Sequence, residues 1–276
     1  MNSFVKSHGL GNDYIVIDKK KITFNLNIGT IQKICNRNYG IGSDGLLVLV
    51  ESKRADFGLR IFNPDGSEAE KSGNGLRIFS KFLYDYRYTK KTSFTIETKG
   101  GVVKSEIKKR NLVRVEMGNA SFEPKTIPYK AKKISSTGEK IKIRNKNFVF
   151  TPVTVGNPHC VVFRNSLNAK ELKEFGSILE TNKKFPNKTN VQFAKVISRN
   201  RVKIEIWERG AGYTLASGSS SCAVVAVGYK MGLLNKRVKV EMPGGNLIIE
   251  IDKNFNLIME GPVEEVCTGK ITFTKS

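Results

Sequence analysis

Apolar residues alternate with polar ones at Leu59 and Ile61, and again at Ile204 and Ile206, which predicts a strand in each place. Polar loops at Pro64, Asp65, Gly66 and at Arg209, Gly210, Ala211, Gly212 break both strands. Beyond Ser72, Gly73, Asn74 and Gly75 the period changes: Leu76, Phe79, Phe82, Leu83 and Tyr86 recur at helical spacing and predict an amphipathic helix. Beyond Ser217, Gly218, Ser219, Ser220 and Ser221, residues 222–229 are apolar nearly all round, which predicts a buried helix. Residues 92–97 and 238–242 read as strands that stop at glycine pairs. The pattern is α+β, mostly antiparallel strands with one central helix in each half.

The two halves match each other at one offset of 145 residues. Gly11, Asn12, Asp13, Tyr14 overlays Gly156, Asn157, Pro158, His159, and residues 58–63 overlay 203–208. Ser72-Gly73 overlays Ser217-Gly218, and Gly100 overlays Gly245. Four blocks in order at one offset indicate a duplicated fold with two pseudo-symmetric halves.

Composition narrows the class. At 276 residues, with 39% hydrophobic and 26% charged, the chain can form a packed core. No apolar run approaches the ~20 residues that span a bilayer, and the first residues lack the apolar centre of a signal peptide. Four cysteines at 35, 160, 222 and 267 have no short paired spacing, which argues against a zinc cluster or disulfide scaffold. The expectation is a cytoplasmic protein with no membrane partner. The net charge of +22 would favour polyanions. However, its densest part, residues 104–146, has Phe122 and Tyr129 as its only aromatic residues, too few for a stacking platform. No nucleic-acid partner is expected.

Both helices begin at a Ser-Gly turn. A helix N-terminus offers free N–H groups and the positive end of the dipole, which suit a carboxylate. Two such termini facing a gap between halves would meet one anionic ligand from both sides, a geometry suited to moving a proton from one face of a carbon to the other. Serine is also a favoured N-cap, and spacing alone favours capping at Ser72 and Ser217 over catalysis.

The motifs His8-Gly9-Leu10-Gly11-Asn12-Asp13-Tyr14, Asn63-Pro64-Asp65-Gly66-Ser67, Gly73-Asn74-Gly75, Gly156-Asn157-Pro158-His159, Thr189-Asn190-Val191 and Glu208-Arg209-Gly210 resemble those of the diaminopimelate epimerase family, in family order along nearly the whole chain. The resemblance implies two halves, each a mainly antiparallel curved sheet or barrel around a central helix. The N-terminal half would be 1–118 plus 262–276 and the C-terminal half 119–261, with the active site between them. It implies a cofactor-independent isomerase of a small amino acid, by default diaminopimelate, using no pyridoxal phosphate and no metal, with a homodimer as the candidate assembly. By the same resemblance Ser72 and Ser217 sit at the acid–base positions, with His159 and Glu208 polarising them. Asn63, Asn157, Asn190 and Arg209 would hold the distal end of the substrate, and Asn12 belongs to the same binding set. The backbone of Gly73, Asn74, Gly218 and Ser219 would hold the reacting carboxylate. Taken singly, Asn12 and Asn63 suit turns, His159 suits a buried imidazole, and Glu208-Arg209 suits a surface pair.

At the acid–base positions the chain departs from the family pattern, which has cysteine where this chain has Ser72 and Ser217; Cys222 matches a non-catalytic position. A thiol ionises near 8.5, whereas a hydroxyl lies far closer to water at ~15.7, so serine is the poorer base. Smaller departures are Tyr213, usually Glu, and Gly45, often Gln. The serines fit an engineered trap, a natural variant with other isomerase chemistry, or an amino-acid-binding module. The further serines at 219–221 favour a natural variant.

Overall fold

The computed structural model describes residues 1–109, 111–131 and 138–272. Position 110 and positions 132–137, within the basic 104–146 stretch, lie outside the described residues, as do 273–276. The chain divides into two compact units, Met1–Glu116 with Glu260–Ser276, and Met117–Met259.

In chain order the first unit contributes β1 (Ser3–Gly9), β2 (Asn12–Asp18), α1 (Ile28–Cys35), β3 (Leu46–Val50), β4 (Phe57–Phe62), β5 (Glu68–Ala69), α2 (Gly73–Asp85), β6 (Ser93–Thr98) and β7 (Gly101–Ile107). After β8 (Leu112–Asn119) come β9 (Glu139–Ile143), β10 (Lys146–Thr154), β11 (Pro158–Phe163), α3 (Ala169–Glu180), β12 (Asn190–Ser198) and β13 (Arg201–Glu208). The chain continues through β14 (Gly212–Thr214), α4 (Gly218–Lys230), β15 (Arg237–Met242), β16 (Gly245–Ile251) and β17 (Asn256–Pro262), and ends with β18 (Glu264–Lys270) on β1.

The pairing scheme repeats. In the first unit β1–β2 is antiparallel, β2–β3 parallel, β3–β4 antiparallel, β4–β6 parallel and β6–β7 antiparallel. In the second, β10–β11, β11–β12, β12–β13, β13–β15 and β15–β16 follow the same order of orientations. The fold is the expected α+β duplication with mainly antiparallel pairing. Both bounds of α4 lie 145 residues beyond those of α2.

Burial explains each central helix. In α2, Leu76, Phe79 and Leu83 are fully buried against β1, β2 and β7. In α4, Cys222 to Val227 are fully buried, which is why its apolar residues run all round and no single face stands out. Each unit also holds a second helix that the reading of one central helix per half left out. Helix α1 places Ile31 and Ile34 on a cluster with Ile15, Ile17, Leu46 and Val48. Helix α3 places Leu172, Phe175 and Leu179 on a cluster with Phe148, Phe150 and Phe193. Their signals are short: Asn27 and Asn168 cap them by accepting from Thr30 N and from Lys170 N and Glu171 N.

Strand β2 is buried on both faces. Side chains alternate along a strand, so Ile15 and Ile17 face α1 while Tyr14 faces α2. A two-residue turn, Leu10 and Gly11 with φ 58° and 86°, joins β1 to β2 as a type I′ hairpin and sets Asn12 at the strand's first position.

Candidate active site

In the first unit, Ser72 is the N-cap of α2. Its Oγ accepts from Gly75 N at 3.1 Å and lies 3.1 Å from Tyr14 Oη. The N–H groups of Gly73 and Asn74 lie in the first turn, where helix geometry supplies no intrahelical partner. Asn12 Nδ2 donates to Asp44 Oδ2 at 2.9 Å, and its Oδ1 accepts from Asn74 Nδ2 at 3.0 Å. Asn74 Oδ1 in turn accepts from Nη2 of Arg77, a fully buried guanidinium, at 2.8 Å. Asp44 also accepts from Asp13 N and Arg37 Nη2, and Arg37 and Lys6 both contact Asp13. Burial raises the Asp13 carboxyl; the bonds from Arg37 and Lys6 outweigh it and hold the group below the usual carboxylate range. Asn63 is exposed in the turn after β4, its Nδ2 donating to Ser67 Oγ at 3.0 Å.

In the second unit, Ser217 caps α4. Its Oγ accepts from Ser220 N at 3.4 Å and lies 3.5 Å from Ser219 Oγ. Gly218 and Ser219 supply the first-turn N–H groups. His159 is fully buried at the start of β11. Its Nδ1 lies 3.0 Å from Gln192 Nε2 and its Nε2 lies 2.8 Å from Asn157 Oδ1. Burial first, with the Arg209 charge adding and the Gln192 bond opposing, lowers its pKa to about 3, which keeps the imidazole neutral. Gln192 Nε2 also donates to Ser220 Oγ at 3.0 Å, so one buried network runs from Asn157 to the first turn of α4. Asn190 is buried, donating to Pro158 O at 2.9 Å and accepting from Arg209 N at 3.0 Å. The Arg209 side chain is exposed and reaches Asn187 O at 3.1 Å. Glu208 is half-buried at the last position of β13.

The residues named from sequence therefore gather within each unit at a helix N-terminus. Ser72, Gly73, Asn74 and Asn12 form one group. Ser217, Gly218, Ser219, His159 and Asn157 form the other, with Asn190 and Arg209 at the adjoining strand ends. Among the described residues, Asn63 bonds only within its own turn. Both serines act as caps, as their spacing favoured, so Ser72→Ala and Ser217→Ala are each expected to lower unfolding free energy by about 0.5–2 kcal/mol in urea titrations.

Sequence reading missed Gln192, Ser220, Tyr14, Asp44 and Arg37. One signal was available: Gln192 stands at a strand position between apolar neighbours, and a wholly buried polar side chain is an informative exception. Gly45 is held close by its neighbours. A Cβ there would lie 2.6 Å from Tyr14 Cε1 and 2.6 Å from Phe62 O. Gly45→Ala is expected to cost about 1–3 kcal/mol of stability by overpacking, visible as a lower urea midpoint at unchanged slope. Tyr213 lies outside both groups; it packs beside the second core cluster and donates to Glu205 Oε2 at 2.5 Å, with burial and then Glu205 pushing its phenol up to about 12.

All four cysteines are free, and only Cys267 is exposed. Burial pushes the Cys35 and Cys160 thiols up, the opposite of an activated thiolate. Among the described residues no group of three His, Cys, Asp or Glu side chains is gathered as metal ligands would be, and no helix is long and apolar enough to cross a membrane.

A family model described as diaminopimelate epimerase matches residues 4–123 and 151–266. The chain is 49% identical over 271 residues to diaminopimelate epimerase 2 of Nostoc sp., covering 98% of this chain and 95% of that one. It is 41% identical over 270 residues to the diaminopimelate epimerase of Carboxydothermus hydrogenoformans, covering 97% and 98%. Among solved structures, a probable proline racemase from Agrobacterium radiobacter superposes with a TM-score of 0.71 at 12% identity, over 99% of this chain and 93% of that one, which speaks for the fold alone.

Proposed function

The chain belongs to the diaminopimelate epimerase family, and from that membership we propose that it inverts an amino-acid α-carbon, with diaminopimelate (LL to meso) as substrate. As a member it is an isomerase of the class that works without pyridoxal phosphate. The observation that carries the substrate reading is the pair of serine-capped N-termini at matching positions of the repeat, with Asn12 bonded to Asn74 at one and Asn157 linked through His159, Gln192 and Ser220 to the other.

The proposed chemistry assigns Ser72 and Ser217 to the two acid–base positions, where the family pattern has cysteine. One oxygen removes the α-proton and its counterpart returns a proton to the opposite face. The N–H groups of Gly73, Asn74, Gly218 and Ser219 suit the carboxylate adjoining the carbanion, whose charge they stabilise as it spreads onto the oxygens. Asn63, Asn157, Asn190 and Arg209 hold the distal ammonium and carboxylate, the guanidinium bidentately. His159 and Glu208 orient and polarise the serine groups; a neutral His159 does so as a hydrogen-bonding group rather than as a charge. No metal enters these steps. The setting is cytoplasmic lysine and peptidoglycan-precursor synthesis.

The test is α-proton exchange. Incubated in deuterium oxide with LL-diaminopimelate, the protein is expected to wash out the α-proton signal in the NMR spectrum only slowly, as a poor epimerase, with meso product accumulating in step. Arg209→Ala is expected to raise KM by about 10–100-fold, the loss of a charged hydrogen-bond pair of roughly 1.5–3 kcal/mol. Absence of exchange in the folded protein removes the substrate reading. The cap bonds of both serines favour a second reading, an amino-acid-binding module or a variant with other isomerase chemistry; binding by calorimetry without exchange would support the module.

A further inference from the structure

We propose that Tyr14 is the proton partner of Ser72, its phenolate taking the serine hydroxyl's proton as the serine oxygen takes the α-proton of the substrate. This rests on the reading of Ser72 given above and adds to it a residue that acts through the serine.

The geometry comes first. Tyr14 Oη lies 3.1 Å from Ser72 Oγ, and the ring is 8% exposed, so bulk water is a poor competitor for that bond. Glycine at position 45 is what admits the ring, since a side chain there would meet Cε1 at 2.6 Å. The departures at 45 and 72 therefore converge on one phenol.

The duplication gives a second, independent argument. Tyr14 occupies the position that His159 holds in the other half, just as Ser72 corresponds to Ser217. In the second unit that position addresses the helix N-terminus through Gln192 and Ser220; in the first it addresses the cap serine directly. The residue two places after the turn asparagine is thus the one that reaches the helix start in both units.

Chemistry then selects the role. An ordinary phenol ionises near 10, between a thiol at about 8.5 and a hydroxyl nearer ~15.7. Several titratable groups on the elements around Tyr14 have partners of their own. Lys6 of β1 and Arg37 hold Asp13 and Asp44, and His8 of β1 lies 3.8 Å from Glu264. On α2, Arg77 donates to Asn74, and Lys81 pairs with Asp85. In the step itself the Cα–H bond breaks and a new Ser72 Oγ–H bond forms. The old Oγ–H bond breaks and the Tyr14 Oη–H bond forms. The electron pair stays on the α-carbon and spreads into the carboxylate, so one negative charge passes from phenolate to substrate.

The experiment compares the pH profile of α-proton exchange in the whole protein, in Tyr14→Phe and in protein carrying 3,5-difluorotyrosine at position 14. Phenylalanine keeps the ring beside Gly45 and removes only the hydroxyl. The expected result is a rate that rises with pH in the unsubstituted protein as the phenolate fraction grows. Tyr14→Phe should lose that limb and about 10²-fold in kcat with KM kept, and the more acidic fluorinated phenol should move the limb to lower pH. An unchanged profile in both variants overturns the proposal while leaving the substrate reading intact. No exchange by the unsubstituted protein at any pH overturns both. Independently of turnover, Ser72→Ala is expected to move the Tyr14 Cζ signal in carbon NMR, and an unmoved signal overturns the contact on which the proposal stands.

Discussion

Ser72→Cys combined with Ser217→Cys is expected to raise the rate of diaminopimelate α-proton exchange by about 10²–10⁴-fold, the usual contribution of general acid–base catalysis. The physical reason is acidity: a thiol at about 8.5 holds and releases a proton near neutral pH far more readily than a hydroxyl does. Position strengthens the argument. Residues 72 and 217 are N-caps, and helix N-termini lower thiol pKa values, so each new cysteine would sit where a thiolate is stabilised. The two changes should be strongly non-additive, because inversion needs an acid and a base together. Proton NMR in deuterium oxide reads the outcome directly. If the folded double-cysteine protein leaves the α-proton of diaminopimelate untouched, the substrate assignment is wrong, and the Gly45 and Tyr213 departures become the place to look for a differently shaped ligand.

Below about pH 6.5 the protein is expected to lose unfolding free energy at up to ~1.4 kcal/mol per pH unit through His159 alone. The folded pKa of His159 is lowered to about 3 from an ordinary 6.5, with burial as the main cause. Between those values the unfolded chain binds a proton that the folded one refuses. The stability that His159 contributes is therefore complete above pH 6.5 and is lost as pH falls toward 3. Asp13, held below its usual range by Arg37 and Lys6, adds a loss of the same sign at lower pH. Urea titrations between pH 7.5 and 4.5 check this, with His159→Asn as the comparison. That variant should be less stable at pH 7.5, because it breaks the bridge between Asn157 and Gln192, but its stability should fall less steeply with acid. Parallel slopes would show that the imidazole is not buried neutral.

Several parts of the candidate site were legible from residue order because local rules govern them. Ser72 and Ser217 each precede a change from period two or loop to period 3.6, and both turn out to cap the helix that follows. Gln192 was harder: within a strand its alternation says only which face it occupies, and its two partners, His159 and Ser220, come from 33 and 28 residues away. Asp44 is similar, because its value lies in bonds to Asn12 and Arg37 that only the packing of the 36–45 loop brings about. Helices α1 and α3 were passed over because each shows only two or three apolar turns, which a short window does not separate from loop.

The sequence by itself determined the α+β class, the duplication, the positions of α2 and α4 and the family, since these rest on periodicity, capping residues and motifs that are local along the chain. Tertiary structure alone decided which polar groups meet. It closed the Asn157–His159–Gln192–Ser220 network, tied Asn12 to Asp44 and Asn74, and set the Tyr14 hydroxyl on Ser72 beside a glycine that leaves room for its ring. The reason is physical: a buried polar group must find its partner wherever packing delivers one, and that partner comes from whichever strand or helix the core has placed alongside.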